Sequence, residues 1–357
     1  MANIFDYLND VAYDSFYDLP VNELDVLALT ELTYLPFDDV AAQEPKRLID
    51  LAPQIPRETT MLTSKNRLQL LDQLAQHKRF KNCKLSNFIN DIDPELQKQF
   101  AAMTYRISLD TYLLVFRGTD DSIIGWKEDF HMTYMKEIPA QKHALQYLQD
   151  FLAQHPNQKV ILAGHSKGGN LAVYAASQLD PLLQKSIVAV YTFDAPGLHK
   201  KLTKKAGYQN MMERTKVFVP QGSIIGMMLE IPDKKIVVRS TALGGIAQHD
   251  TFSWQVEDKH FVQLDETNSD SQQVDTTFKE WVETVPDEEL QLYFDLFFGI
   301  ILDAGISSIN DLSSFKVIEH IHHLFVQAQS LTPEERETMG RLTQLLIDTR
   351  YQAWKNR

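Results

Sequence analysis

A chain of 357 residues, 44% of them hydrophobic, suits one large α/β domain with additions, or two domains, and holds enough apolar side chains for a real core. Its 35 basic against 48 acidic side chains give a net charge of −13, which disfavours nucleic acid and anionic membranes as partners held by long-range attraction. The single cysteine, Cys83, excludes an internal disulfide.

The N-terminal stretch MANIFDYLNDVAYD is acidic and has no uninterrupted apolar run of secretory length, so a cytoplasmic location is expected. Helical periodicity then comes in pieces, Asn22 to Thr33 and Ser64 to His77, broken by Pro36, Pro45, Pro53 and Pro56. Residues 1–97 read as a helical preface. Phe100 to Ser108 and Thr111 to Gly118 are β-prone runs separated by Leu109-Asp110, which predicts an antiparallel hairpin whose second arm ends in VFRGTDDS.

From there strands and helices alternate. A helix is expected from Ala140 to Gln154, a strand over Lys159 to Ala163 and a helix over Leu171 to Ala176. Further strands follow over Ile187 to Phe193, Lys216 to Val219 and Lys235 to Arg239. This order predicts an α/β core over residues 98–262, a mostly parallel sheet with helices on both faces and a site at the carboxyl ends of its strands.

The polar stretch Asp265 to Asp275 reads as a linker or surface loop, and residues 263–357 as a C-terminal helical region. Leu292 to Ile306 is the most membrane-like run, but it contains Asp295 and Asp303 and is too short to span a bilayer; it reads as a buried or partner-facing helix. Thr332-Pro333-Glu334-Glu335 announces the last helix, with threonine as N-cap and a glutamate placed for a capping box. Met339, Leu342, Leu345, Leu346 and Trp354 give it an apolar face for packing or for homo-oligomer formation.

The chemistry concentrates in residues 164–170, GHSKGGN, between an apolar strand and an alanine-rich helix. A serine on so tight a strand-to-helix turn is pushed out of the backbone path, and glycines two residues either side leave room for it. Ser166 is therefore the candidate nucleophile, with Gly164, His165 and Gly168 forming the elbow. The bland alternative is an N-cap serine in an ordinary loop.

A serine hydroxyl needs a neutral imidazole in reach and an acceptor that fixes the imidazole's tautomer. The chain order serine, acid, histidine leaves His199, His249, His260, His320, His322 and His323 as bases. His249 is favoured, because its loop GGIAQHD follows the last predicted core strand and its glycines let the backbone bend towards the elbow. For the acid, Asp194 stands directly after a strand, in TFDAPG, although it also suits a turn before Pro196-Gly197. The loop after the next strand, ending at Ser223, has no carboxylate before Glu230. Oxyanion donors would be the backbone N–H groups of Lys167 and Thr119. His320, His322 and His323 with Glu319 do not form a zinc ligand set, and neither metal nor cofactor is implied.

Together these pieces resemble the fungal-type (class 3) lipases of the α/β-hydrolase superfamily. The resemblance is carried by FRGT (116–119), Trp126, Asp129, GHSKGG (164–169) and TFDAP (192–196), across roughly residues 98 to 262. The chain looks closer still to a bacterial family of lipase-like proteins, to which the N-terminal region and QHDTFSW (248–254) would also belong. The resemblance implies an α/β-hydrolase fold with N- and C-terminal helical additions, Ser166 as nucleophile, His249 as base, and Thr119 and Lys167 as oxyanion donors. In one respect the chain departs from the pattern: class 3 lipases carry their acid after the strand that follows TFxAP, where this chain has Ser223. Lipases resembling the pancreatic enzymes place it one strand earlier, in the slot of Asp194.

The function expected is hydrolysis of carboxylic esters, acyl lipids among them, through a Ser166-Asp194-His249 triad and an acyl-enzyme. The apolar segment Ile224 to Ile231 is a candidate acyl-pocket lining or cover, or plain core. The partner implied is a small acyl ester, with transient membrane contact left open. A non-catalytic lipase-like binding or scaffolding protein is the alternative, and a thioesterase or acyltransferase using the same serine a narrower one.

Overall fold

Strand residues with alternating apolar side chains need a core on each face of their sheet, and Thr111–Phe116 has both: Leu113 and Val115 join one hydrophobic cluster, Leu114 and Phe116 another. The computed structural model describes residues 1–38, 44–120, 122–232, 234–306 and 327–355. Its main sheet holds β1 (Lys46–Arg47), β2 (Lys84–Asp93), β3 (Lys98–Arg106), β4 (Thr111–Phe116), β5 (Lys159–His165), β6 (Ile187–Phe193), β7 (Thr215–Pro220) and β8 (Lys235–Val238) side by side in chain order. After a separate pair, β9 (Val256–Glu257) and β10 (His260–Phe261), β11 (Gln263–Leu264) closes the edge beside β8. Strands β4 to β8 run parallel, and the remaining neighbours are antiparallel.

One face is covered by N-terminal helices α1 (Ile4–Asp10), α2 (Glu23–Leu32), α3 (Leu48–Leu51) and α4 (Lys65–Gln76). Helix α2 is buried on every side, so its apolar residues do not form a stripe. Its leucines, among them Leu24, Leu27 and Leu29, are fully buried and each contributes about 1.5–3 kcal/mol by leaving water. The acids it carries inward are paired: Asp25 with Arg79, both fully buried, and Glu31 with Arg67.

The other face carries α5 (Ile123–His131), α6 (Pro139–Gln154), α7 (Lys167–Gln178), α8 (Lys200–Thr203) and α9 (Ala206–Met212). Beyond the sheet lie α10 (Ser269–Thr284), α11 (Asp287–Asp303) and α12 (Pro333–Lys355). They pack round the buried Trp281, and Phe294 and Phe298 of α11 bring ring centroids within 4.8 and 5.6 Å of Phe130 on α5. No helix of the described residues is long and apolar enough to cross a membrane.

The hairpin, the alternating core elements and the capping box of the last helix match their sequence reading. Thr332 N–H donates to Glu335 Oε2 at 2.8 Å and Glu335 N–H to Thr332 Oγ1 at 3.2 Å. Leu342, Leu345 and Leu346 turn towards the chain's own α10 and α11. Two stretches differ. Residues 84–93, inside the part read as a helical preface, form strand β2, whose polar sequence KLSNFINDID and irregular register between Ser86 and Ile89 hide the two-residue period. Residues 265–275, read as a linker, contain the start of α10, capped by Asn268, whose side chain accepts from Ser271 N–H. The histidines at 320, 322 and 323 lie outside the described residues.

Candidate active site

The turn between β5 and α7 holds Ser166 at φ 56° and ψ −136°, a conformation that costs an L-residue about 1–3 kcal/mol and is kept only because the surroundings fix it. Two glycines do the fixing. A Cβ at Gly164 would overlap the backbone of Gly168, and one at Gly168 would overlap the carbonyl of Phe116 on β4. The register that sets Phe116 beside Gly164 thus requires glycine at both positions.

Asp194 follows β6 directly, at φ 43°, with its side chain fully buried. Its Oδ2 lies 2.6 Å from His249 Nδ1, across 55 residues of chain. Its Oδ1 accepts from Gly226 N–H at 3.1 Å and from the Ser223 hydroxyl. The two places weighed in the sequence thus meet: Ser223, where the class 3 pattern expects an acid, donates its hydroxyl to the Asp194 carboxylate. Ser271 at the start of α10 in turn donates its hydroxyl to Ser223 O, so the C-terminal region braces this loop.

His249 is one quarter exposed, and its ring lies 4.3 Å from that of His165. Since a carbonyl only accepts, His165 donates Nε2–H to His249 O at 3.0 Å, and its Nδ1 accepts the Tyr34 hydroxyl at 3.0 Å. Burial, and then the neighbouring His249, push His165 well below the ordinary histidine range, so it stays neutral. The loop after His249 is tied down by Thr251 Oγ1, which donates to Glu31 Oε1 at 2.8 Å. Sequence reasoning missed Tyr34, Glu31 and Arg67, all from the N-terminal helical region.

Thr119 follows β4 and lines the same cavity as Ser166, Lys167 and His249. Its hydroxyl donates to Asp129 Oδ2 at 2.5 Å. Burial pushes the Asp129 carboxyl up to about 6, against the pull of the Lys167 ammonium 3.6 Å from its Oδ1. The Lys167 side chain turns inward, away from solvent, and donates to Glu128 Oε2 and Gln99 O, each at 3.0 Å. Burial opposes its charge, but Glu128 and Asp129 outweigh that and hold the ammonium above the usual lysine range. As the first residue of α7, Lys167 has a backbone N–H without an intrahelical acceptor.

The other sequence candidates stand elsewhere. His199 accepts from Lys201 N–H as the cap of α8, and His260 pairs with Glu23 at 2.6 Å. The cavity itself measures about 360 Å³ and is mostly apolar, with Met61, Leu62, Phe130, Ile225, Met228 and Phe252 in its walls. Part of the segment Ile224 to Ile231 is thus pocket lining.

A family model described as Mbeg1-like matches residues 74–299, more than half of the chain. The chain belongs to the Mbeg1-like family. Its mostly parallel sheet, with helices on both faces and further helices at the termini, has the layout of an α/β-hydrolase fold, and the Mbeg1-like match runs from before β2 into α11. No curated protein matches this Mbeg1-like chain. Among solved structures, the mono- and diacylglycerol lipase from Aspergillus oryzae is similar at 16% identity with a TM-score of 0.43, covering 69% of this chain and 87% of that one. The lipase from Rhizopus microsporus var. chinensis is 16% identical with a TM-score of 0.39, covering 70% and 80%. M37 lipase is 15% identical with a TM-score of 0.37, covering 57% and 67%.

Proposed function

We propose that the protein is a serine hydrolase that cleaves carboxylic esters of acyl lipids. The observation that carries this reading is the 2.6 Å contact of Asp194 Oδ2 with Nδ1 of His249, which lines the same apolar cavity as the strained Ser166. Asp194 fixes the proton on Nδ1, leaving Nε2 free to take the Ser166 hydroxyl proton as Oγ attacks the ester carbonyl carbon. The developing oxyanion is met by the backbone N–H groups of Lys167 and Thr119. His249 then returns the proton to the departing alkoxide, leaving an acyl group on Ser166. Water, deprotonated by the same imidazole, attacks the acyl carbon; the bond to Ser166 Oγ breaks, His249 returns the proton to Oγ, and the carboxylic acid leaves. Apolar walls around the serine suit a neutral acyl chain better than a charged substrate.

Hydrolysis of soluble short-chain acyl esters tests this. The expected result is release of equal amounts of alcohol and carboxylic acid by the wild type, with none above background from Ser166→Ala; equal activity in both proteins would sink the assignment of the serine.

A further inference from the structure

We propose that the far end of a long acyl chain passes Leu229 and enters a second cavity built by the C-terminal helices, so that Leu229 and α10 set the chain length the site accepts. The proposal rests on the ester-hydrolase reading for its substrate class, but its geometry stands apart from the catalytic residues.

The second cavity measures about 160 Å³ and shares two wall residues, Thr133 and Leu229, with the serine cavity. Its other apolar walls are Leu198, from the loop after β6, Phe278 and Val282 of α10, and Val285 and Pro286 between α10 and α11. Thr133 presents no unmet polar group to an alkyl chain, because its hydroxyl donates to Phe130 O at 2.7 Å. His199, Glu230, Lys279 and Asp287 also line the cavity, beside Lys200 and Glu283, a surface ion pair at 3.4 Å with both side chains more than half exposed. An apolar chain would lie along the apolar walls and stop where those charges begin.

Leu229 is held as a partition by its backbone. It lies at φ 64°, a left-handed conformation that leucine rarely adopts. The residues on both sides are pinned: Met228 O accepts from Gly197 N–H at 2.8 Å, and Leu198 and Glu230 exchange two backbone hydrogen bonds at 3.1 Å. A Cβ at Gly197 would overlap the carbonyl of Glu230, so the two segments lie as close as backbones can. With the main chain fixed, the rotamer of Leu229 is the element left to open or close the passage. The C-terminal addition thereby acquires a role in substrate selection.

Displacement of a fluorescent fatty acid from the full-length chain by saturated fatty acids of increasing length reads this without catalysis. Each added methylene strengthens binding about fourfold while it goes into an apolar wall. The gain should persist into the second cavity in the wild type and end several methylenes earlier in Val282→Trp, which fills that cavity. Leu229→Ala, which widens the passage and needs no repacking of α10, should raise the affinity of long chains relative to short ones. Identical length profiles in all three proteins, or no fatty-acid binding at all, would overturn the proposal. If the three profiles differ as expected while the matching esters are not cleaved, the second cavity stands and the hydrolase reading falls.

Discussion

Asp194→Asn should lower kcat for ester hydrolysis by about 10⁴-fold, the scale on which loss of a triad acid acts, while leaving the fold intact. The direction follows from what holds the side chain. Its Oδ1 accepts from Gly226 N–H and the Ser223 hydroxyl, two donors that will keep the asparagine carbonyl oxygen in that place. The amide nitrogen then faces His249 Nδ1, turns it into an acceptor and moves the ring proton to Nε2. In that tautomer the imidazole cannot take the serine proton. Asparagine matches aspartate in shape, so the thermal midpoint should hardly change, and measuring it beside kcat separates lost chemistry from lost structure. Near-full activity would remove Asp194 from the mechanism and turn attention to Asp250 or Glu230.

Lys167→Met should cost about 3–5 kcal/mol of stability, because it strands a buried carboxylate. The Glu128 side chain is fully buried, with Oε2 accepting from Lys167 Nζ and Gln99 N–H and Oε1 from Ala140 N–H. Two backbone donors remain after the substitution, but the cation that balances the charge is gone. Adding Glu128→Gln should recover part of the loss, since the uncompensated charge is removed along with its partner. Urea unfolding of the two single variants and the double variant measures the coupling. Additive losses in the double variant would show that the pair does not act as a unit. Because the lysine directly follows Ser166, the same pair anchors the backbone N–H proposed to face the oxyanion.

What the sequence made legible is what local sterics and chain order dictate. The elbow was readable because a serine squeezed between β5 and α7 requires glycine at 164 and 168, where any Cβ would collide with backbone. The meeting of Asp194 and His249 was readable from their places, the first residue past a strand and the histidine of a glycine-rich loop that follows it in the chain. The strand β2 was not, since Asn87, Asn90, Asp91 and Asp93 break the apolar alternation and only pairing with β3 defines it. Nor were the braces of the site. Tyr34 reaches His165 across 131 residues and Thr251 reaches Glu31 across 220, contacts that no local pattern encodes. Ser223 appeared as a missing acid, whereas in the fold its hydroxyl donates to the Asp194 carboxylate.

Covalent capture tests most directly whether Ser166 is an activated nucleophile. Purified protein is mixed with a fluorophosphonate, which a nucleophilic serine attacks at phosphorus with loss of fluoride, and the intact mass is recorded beside that of Ser166→Ala. The expected result is one phosphonyl adduct on the wild type and none on the variant. An unmodified wild type, or equal labelling of the two proteins, would contradict an activated Ser166.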